Sequence, residues 1–349
     1  MYTLAPKAAS LTPYDPIAGE YPIRLDANES FLLPTPEDRE KMAAAAAATA
    51  FNRYPDPLAS APCAAFAKLY DVSPALVTAG NGSDELISVI LSTFLQKGEK
   101  VLTLSPDFSM YRFYTEITEN PCLVLAKGAD LRVDVDRVID TIVREGVRLC
   151  IFSNPCNPTS LGLPREEVRR LIRGTDALVV LDEAYMDFYD QSLLPEAGEY
   201  DNLIVLRTCS KALGLAALRL GFAVCNERLT GILRAAKSPY NVNAVTQAMA
   251  AVVLQNRVYR ETYVPQLLRS RRELLTGLRA LHVGTVFESD TNFVLWELPQ
   301  ANRVFEKLKE AGIVVRLFLK DRLRITAGAP EENAALLRAL PAILRETEE

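Results

Sequence analysis

Short runs rich in apolar and β-branched residues recur through the middle of the chain. They read ALVTAG (75–80), EKVLTLS (99–105), CLVLAK (122–127), RLCIFS (148–153), ALVVLD (177–182), LIVLRT (203–208) and LGFAVC (220–225). Between most of them lie segments of helical period, such as SDELISVILSTFLQKG (83–98) and DVDRVIDTIVREG (134–146). Strands that are apolar throughout and alternate with helices predict a mainly parallel sheet covered on both faces. The link between 203–208 and 220–225 is too short for a crossover helix, which leaves room for one antiparallel strand there.

After about residue 245 the pattern changes. A long helical stretch (244–281) precedes TNFVLWEL (291–298), EKLKEAGIVVRLF (306–318), RLRITAG (322–328) and a C-terminal helix (331–347). This predicts three parts: an N-terminal arm (1–35) that is proline-rich, irregular and packs with the small domain; a large domain (36–250); and a smaller α+β domain (251–349). The alanine-rich MAAAAAATAF (42–51) reads as helix.

Composition narrows the class. The chain has 349 residues, 49% hydrophobic and 24% charged, which suits a globular protein with a substantial core. A net charge of −5 and the lack of a basic run argue against nucleic acid. The first residues, MYTLAPKAASLTPYDP, lack an apolar core of signal-peptide length. The most apolar long stretch, 203–225, carries Arg207, Lys211 and Arg219, which argues against a membrane span. Six cysteines without CxxC spacing read as reduced, buried thiols of a cytoplasmic protein. The single histidine, His282, makes a histidine-based metal centre or a Ser-His-Asp triad improbable; no metal is expected.

In open α/β sheets, ligands sit beyond the carboxyl ends of the strands, so the residues after each run matter. After 75–80 comes GNGSDE. Ser83 is a candidate helix cap there, and the N–H groups of Gly82, Ser83 and Asp84 would face an anion such as phosphate. The same string is an ordinary glycine turn if nothing binds. After 99–105 comes PDFSMY, where Phe108 would cover a flat ligand or simply pack in the core; Tyr111 is open to the same two readings. After 148–153 comes NPCNPTS, a rigid turn that would hold Asn154 or Asn157 at the strand end. After 177–182 comes DEAYMDF. Asp182 ends an almost wholly apolar strand and needs a cationic or hydrogen-bonding partner; Tyr185 would reach the same pocket. A helix cap or a salt bridge is the plain alternative for Asp182. After 203–208 comes CSKALGLAALRLGF. Lys211 is either a structural ion-pair lysine or a nucleophile prepared by desolvation. Arg219 would grip a phosphate in a fixed fork, with hydroxyls from Thr208 and Ser210.

Each feature is weak alone, but each follows a different strand of one sheet. A ligand that uses all of them is pyridoxal 5′-phosphate: its phosphate on the helix start and Arg219, its aldehyde on Lys211, its ring nitrogen on Asp182.

At these residues the sequence resembles the fold-type I pyridoxal-phosphate-dependent aminotransferases, and among them looks most like the histidinol-phosphate aminotransferase family. LTPYDP, LDANES, FNRYPD, GNGSDE, SNPCNPT, VVLDEAY, RTCSKALGLAALRLGF and LRITAGAPEEN occur in family order over nearly the whole chain. The resemblance implies an α/β fold-type I transferase, with a mainly parallel seven-stranded sheet in a large domain plus a smaller α+β domain. It implies that Lys211 takes the cofactor's aldehyde and then shuttles a proton, that Asp182 pairs with the ring nitrogen, and that Tyr185 and Asn157 bond the ring's 3′ oxygen. Phe108 would stack on the ring. Gly82, Ser83, Asp84, Thr208, Ser210 and Arg219 would hold the phosphate, and Tyr54 would reach it in the partner subunit's site, implying a homodimer. Arg324 would clamp the substrate's α-carboxylate, with Asn28 at its border. Arg316 and Tyr14 would meet the substrate's far end, a phosphate monoester in that family.

The implied reaction moves an amino group between L-histidinol phosphate and 2-oxoglutarate, a step of histidine biosynthesis. The family also contains aminotransferases of aromatic amino acids and a decarboxylase of an amino-acid phosphate. A non-catalytic ligand-binding regulator would be expected to lack Lys211, Asp182 or Arg324, and all three are present. No GxGxxG follows the first strand, against a nucleotide-binding dehydrogenase. The chain departs from the family at Ser160, usually glycine, at Phe108, commonly tyrosine, and in the short link between Arg316 and Arg324.

Overall fold

In the computed structural model, which describes residues 2–9, 11–12 and 17–348, the arm contributes one short strand, β1 (Ile23–Arg24). Seven strands follow: β2 (Val77–Gly80), β3 (Val101–Ser105), β4 (Cys122–Ala126), β5 (Leu149–Ser153), β6 (Leu178–Asp182), β7 (Leu203–Thr208) and β8 (Gly221–Val224). They form one sheet in the order β2-β8-β7-β6-β5-β3-β4. All run in one direction except β8, which is antiparallel to both neighbours. The β7–β8 link holds only a single tight turn, Ala216–Leu218, so the chain must double back rather than cross over.

The runs are apolar at most positions because alternate residues feed different cores. Cys150, Phe152, Val179, Leu181, Leu203 and Val205 enter one; Leu149, Ile151, Val180, Ile204 and Leu206 enter the other. Helices Ser60–Tyr70, Val135–Glu145 and Arg165–Arg173 cover the first face, and Gly82–Phe94, Met110–Ile117 and Glu227–Ala236 cover the second. Each fully buried Leu, Ile or Val contributes about 1.5–3 kcal/mol, so both faces resist a polar replacement.

The smaller domain follows. Helix Val264–Arg279 leads to β9 (Thr285–Val286), β10 (Phe293–Glu297), helix Ala301–Glu310, β11 (Ile313–Val314), β12 (Arg316–Phe318), β13 (Arg322–Thr326) and helix Pro330–Glu348. Four of its strands form an antiparallel sheet, β12-β13-β10-β9. Its core is built on Trp296, Leu323, Ile325, Leu274 and Leu336, with the indole N–H of Trp296 given to the Val283 carbonyl at 2.7 Å. The arm joins this domain: β1 pairs parallel with β11, and Leu25 enters its core. Among the described residues, no helix is long and apolar enough to cross a membrane.

Three helices differ from expectation, the first being the alanine-rich one, which runs over Pro36–Ala47 and not over 42–51. The stretch 244–281 is not continuous: one helix ends at Val253 and the next straight one starts at Val264. Between them Asn256 accepts the Val258 N–H at 3.0 Å and donates to Asp38 at 2.8 Å, a local side-chain bond that replaces the helical one. The helix expected over 83–98 ends at Phe94; Leu95 is extended, and Glu99 takes the Gln96 N–H at 2.8 Å.

Gly221 opens β8 directly against the start of helix Gly82–Phe94. A Cβ there would lie 2.5 Å from the Ser83 nitrogen and 2.6 Å from the Gly82 carbonyl carbon. Both are backbone atoms, which cannot swing aside. Gly221→Ala is expected to cost about 1–3 kcal/mol, read as a lower thermal midpoint of the cofactor-free protein. An unchanged midpoint would show that the turn yields freely.

Candidate active site

A cavity of about 620 Å³ lies where β3, β5, β6 and β7 end; residues from β12, β13 and the arm segment 26–29 complete its wall. Every residue singled out above as a cofactor or substrate contact lines it, except two. Tyr54 is 81% exposed and stacks on Tyr240 with ring centroids 4.6 Å apart, beside a separate hollow. Tyr14 falls outside the described residues.

One end of the cavity is built for an anion. The helix begins at Gly82, with Asn81 rather than Ser83 as its flanking residue. Asn81 caps nothing: its amide donates to the Asn241 carbonyl at 2.6 Å and to Glu85 at 3.2 Å. The first N–H groups of the helix have no intrahelical acceptor and are left for a ligand. Opposite them stands Arg219, held at φ 48°, with Nη1 3.5 Å from the Ser210 hydroxyl and Nη2 3.6 Å from Asp84. The Thr208 hydroxyl lies 3.1 Å from that of Ser210. Gly82 has φ 75°, and a Cβ on it would come within 2.9 Å of Arg219 Nη2, so glycine keeps this cradle open.

Asp182 closes β6 on the same face as Val180 and therefore meets helix Met110–Ile117. Fully buried Tyr111 donates its hydroxyl to Oδ2 at 2.8 Å, and the Ala184 N–H reaches Oδ1 at 3.0 Å. Burial pushes this carboxyl up to about 7, against the pull of both donors. Phe108 lines the wall nearby, edge-on to Tyr111 with centroids 5.5 Å apart.

Lys211 donates from Nζ to the Ala27 carbonyl at 2.8 Å. Burial, with the Arg324 guanidinium as a second cause, lowers its pKa to about 8. An appreciable fraction is then free amine near neutral pH, the form a nucleophile or base needs. Asn28 donates to the Tyr185 hydroxyl at 2.8 Å, and Arg324 donates to Asn157 Oδ1 at 2.6 Å. Burial holds the Tyr185 phenol up at about 12. Tyr185 thus keeps its own proton to give, and Asn157, its oxygen occupied, has its NH₂ to give.

Arg316 and Arg324 are direct cross-strand partners and both line the cavity. Like charges opposed on a sheet destabilise it, so this end of the cavity favours a ligand rich in negative charge. Ser160, at the position where a glycine was noted as usual, sits at φ 64°, a backbone conformation that suits glycine. Its hydroxyl donates to the Glu288 carbonyl at 2.6 Å, which offsets part of the strain.

The donor set fits pyridoxal 5′-phosphate. It supplies N–H groups, hydroxyls and a guanidinium for the phosphate, a buried carboxylate for the ring nitrogen, and two donors for the ring oxygen. A lysine of lowered pKa serves the aldehyde. Residue-level reasoning missed Asp107 and Ser153, which also line the cavity, and left Tyr111 undecided. Only the period-two placement of Asp182 on the face of helix Met110–Ile117 would have pointed to Tyr111.

The profile of the family described as aminotransferase class I and II matches residues 21–340. The chain is 39% identical to the histidinol-phosphate aminotransferase of Clostridium novyi (strain NT) over 332 residues, 94% of this chain and 93% of that one. It is 40% identical to the same-named protein of Clostridium kluyveri over 337 residues, 95% of this chain and 96% of that one. In fold it matches the crystal structure of histidinol-phosphate aminotransferase from Sinorhizobium meliloti in complex with pyridoxal-5′-phosphate. The TM-score is 0.91 at 24% identity, over 99% of this chain and 98% of that one.

The raised value of Asp182 has a consequence for stability. Its ordinary value is about 3.9, so between there and about 7 the folded state holds a proton that the unfolded state has released. Stability therefore falls as pH rises through that window and carries the full cost above it. In the cofactor-free protein, Asp182→Asn is expected to raise the thermal midpoint above pH 7, by the equivalent of roughly 1–4 kcal/mol. The gain should shrink towards nothing near pH 4. A difference that does not change with pH would show that the carboxylate is not desolvated.

Proposed function

The chain belongs to the class I and II aminotransferases, and on that premise we propose that it moves an amino group between L-histidinol phosphate and 2-oxoglutarate. The products are imidazole acetol phosphate and L-glutamate, and the cofactor is pyridoxal 5′-phosphate. Relatives at 39% and 40% identity carry that activity in their names. The observation that carries the substrate choice is the opposed pair Arg316 and Arg324. Histidinol phosphate has no carboxylate; its one anionic group is a phosphate ester with close to two negative charges. 2-Oxoglutarate carries two carboxylates. Both bring enough negative charge for two guanidiniums, whereas an aromatic amino acid brings a single carboxylate.

Bound pyridoxal phosphate supplies an electron sink for the bonds at the amino-bearing carbon. The chain supplies the rest. Lys211 Nζ, freed from Ala27, takes the proton from that carbon and returns it on the other side of the transfer. Asp182 holds the proton on the ring nitrogen, and Tyr111 and Ala184 hold Asp182 in place. Tyr185 and Asn157 give hydrogen bonds to the ring oxygen. The helix start, Thr208, Ser210 and Arg219 anchor the phosphate. Arg324 takes the acidic group beside the reacting carbon and Arg316 the remaining charge.

On this reading the protein is a homodimer, with Tyr54 reaching the partner's phosphate site. The 81% exposure of Tyr54, beside Phe51 at 77%, supports a surface that a second copy covers. Its place is the cytoplasm, supported by six cysteines that are all free thiols. Light scattering that returns a monomer mass would remove the shared site.

The purified protein is expected to be yellow, to lose its visible band on addition of L-histidinol phosphate, and to regain it with 2-oxoglutarate. Bleaching only by aromatic amino acids would move the substrate, and failure to take up pyridoxal phosphate at all would overturn the cofactor. In single-turnover bleaching, Arg316→Ala is expected to weaken apparent affinity for histidinol phosphate about 10–100-fold while leaving phenylalanine nearly unchanged, as loss of one charged hydrogen-bonding partner predicts. An equal loss on both donors would refute the role of Arg316.

A further inference from the structure

We propose that Asp107 and Lys127 form a buried ion pair that positions the two loops on either side of the cofactor's ring, those carrying Phe108 and Asn157. The inference rests on the cofactor reading above. It concerns residues that neither motif nor family pattern singled out.

Asp107 follows β3. Its Oδ1 accepts the Phe108 N–H at 2.8 Å and the hydroxyl proton of Ser153. Ser153 ends β5, and its Oγ accepts the Asn157 N–H at 3.2 Å. One carboxylate therefore ties down the backbone under the ring-covering aromatic. Through a single serine it also ties down the backbone of the ring-oxygen donor. Lys127, just past β4, stands behind it. Its Nζ lies 3.7 Å from Asp107 Oδ2 and donates to Cys156 Sγ at 2.8 Å. Cys156 belongs to the same Asn-Pro turn as Asn157, and its sulfur lies 3.6 Å from the Pro106 carbonyl. The ammonium thus joins two loops, one through the Asp107 carboxylate and one through the Cys156 sulfur.

The pair is out of water: the side chains of Lys127 and Asp107 are 2% and 1% exposed. A carboxylate in that position is costly without its cation. Burial already pushes the Asp107 carboxyl up, and the Lys127 ammonium and the Ser153 hydroxyl hold it down. If Lys127 is removed, Asp107 must take up a proton or draw in water. A neutral carboxyl is a weaker acceptor than a carboxylate, so the bonds that Oδ1 takes from Ser153 and Phe108 weaken and both loops are held less firmly. Lys127 does not line the cavity; it acts through Asp107, and both are positioning residues.

The test uses the cofactor-free protein and three variants: Lys127→Met, Asp107→Asn and the two combined. Amide hydrogen exchange at Phe108 and Asn157 is measured together with pyridoxal phosphate affinity by absorbance titration. Lys127→Met is expected to speed exchange at those two amides and to weaken cofactor binding, each by about tenfold or more, as a stranded buried charge predicts. Amides within β5 and β6 should stay as in the parent. Adding Asp107→Asn removes the stranded charge while keeping one acceptor, and should recover much of the affinity. Parent-like exchange and affinity in Lys127→Met would overturn the proposal. So would a double variant no better than Lys127→Met, since lysine would then only fill space. Should Lys127→Met fail to fold, Asp107→Asn alone decides: faster exchange at Phe108 and Asn157 supports the pair, and unchanged exchange overturns it. Exchange in the cofactor-free protein does not depend on the substrate, so a failure of the functional reading would leave this result standing.

Discussion

A side chain along the inner strands of a sheet covered on both faces has no route to water, and the whole site follows from that exclusion. Within the strands, charge is tolerated only where it is fully compensated. Arg207 in β7 lies between Glu183 at 3.2 Å and Asp187 at 2.6 Å. The polar groups that line the cavity sit where strands end, still largely desolvated: Asp182 at the end of β6, Thr208 at the end of β7, Lys211 three residues on. One desolvation penalises whichever form is charged, so it drives the acid up to about 7 and the amine down to about 8. The two groups are brought towards neutral pH from opposite directions by the same physical cause.

Much of this was legible along the chain because strand and site share a local signature. An apolar run followed by a glycine, an asparagine-proline pair, an acid or a lysine marks both a strand and its functional end. The antiparallel β8 followed from loop length alone. Partnerships between distant elements were not legible. Tyr111 and Asp182 stand 71 positions apart, and nothing in PDFSMY says which face of the sheet its helix will cover. Lys127 and Cys156 are likewise invisible as a pair. The break near Asn256 was hidden because an asparagine in a helical pattern gives no sign of whether its side chain will take over a backbone bond. Ser83 was a reasonable cap by composition. Asn81 stands in the flanking place instead, and its amide goes to Asn241 and not to the helix start.

The site belongs to three parts of the chain at once. From the arm, Ala27 receives the Lys211 amine, Asn28 bonds Tyr185 and the Asp26 carbonyl accepts from Arg324. The small domain brings Arg316 and Arg324, and the large domain brings Asp182, Tyr185, Lys211 and Arg219. The arm is held in turn by β1 on β11 and by Leu25 in the small domain's core. Movement of the small domain would therefore carry the arm, and with it the acceptor now facing Lys211.

Without ligands the cavity is a costly arrangement. Arg316 faces Arg324, Asp182 has donors but no cation, and the helix start points unpaired N–H groups inwards. None of these helps the fold. Pyridoxal phosphate and an anionic substrate would relieve each in turn: phosphate for the N–H groups and Arg219, ring nitrogen for Asp182, substrate charge for the arginine pair. A ligand that binds only the folded state adds stability in proportion to how far it exceeds its dissociation constant. A ligand with charge at every one of these places would gain most from binding here. That condition separates a doubly charged phosphate ester from a neutral-ringed, singly charged amino acid more sharply than pocket shape does.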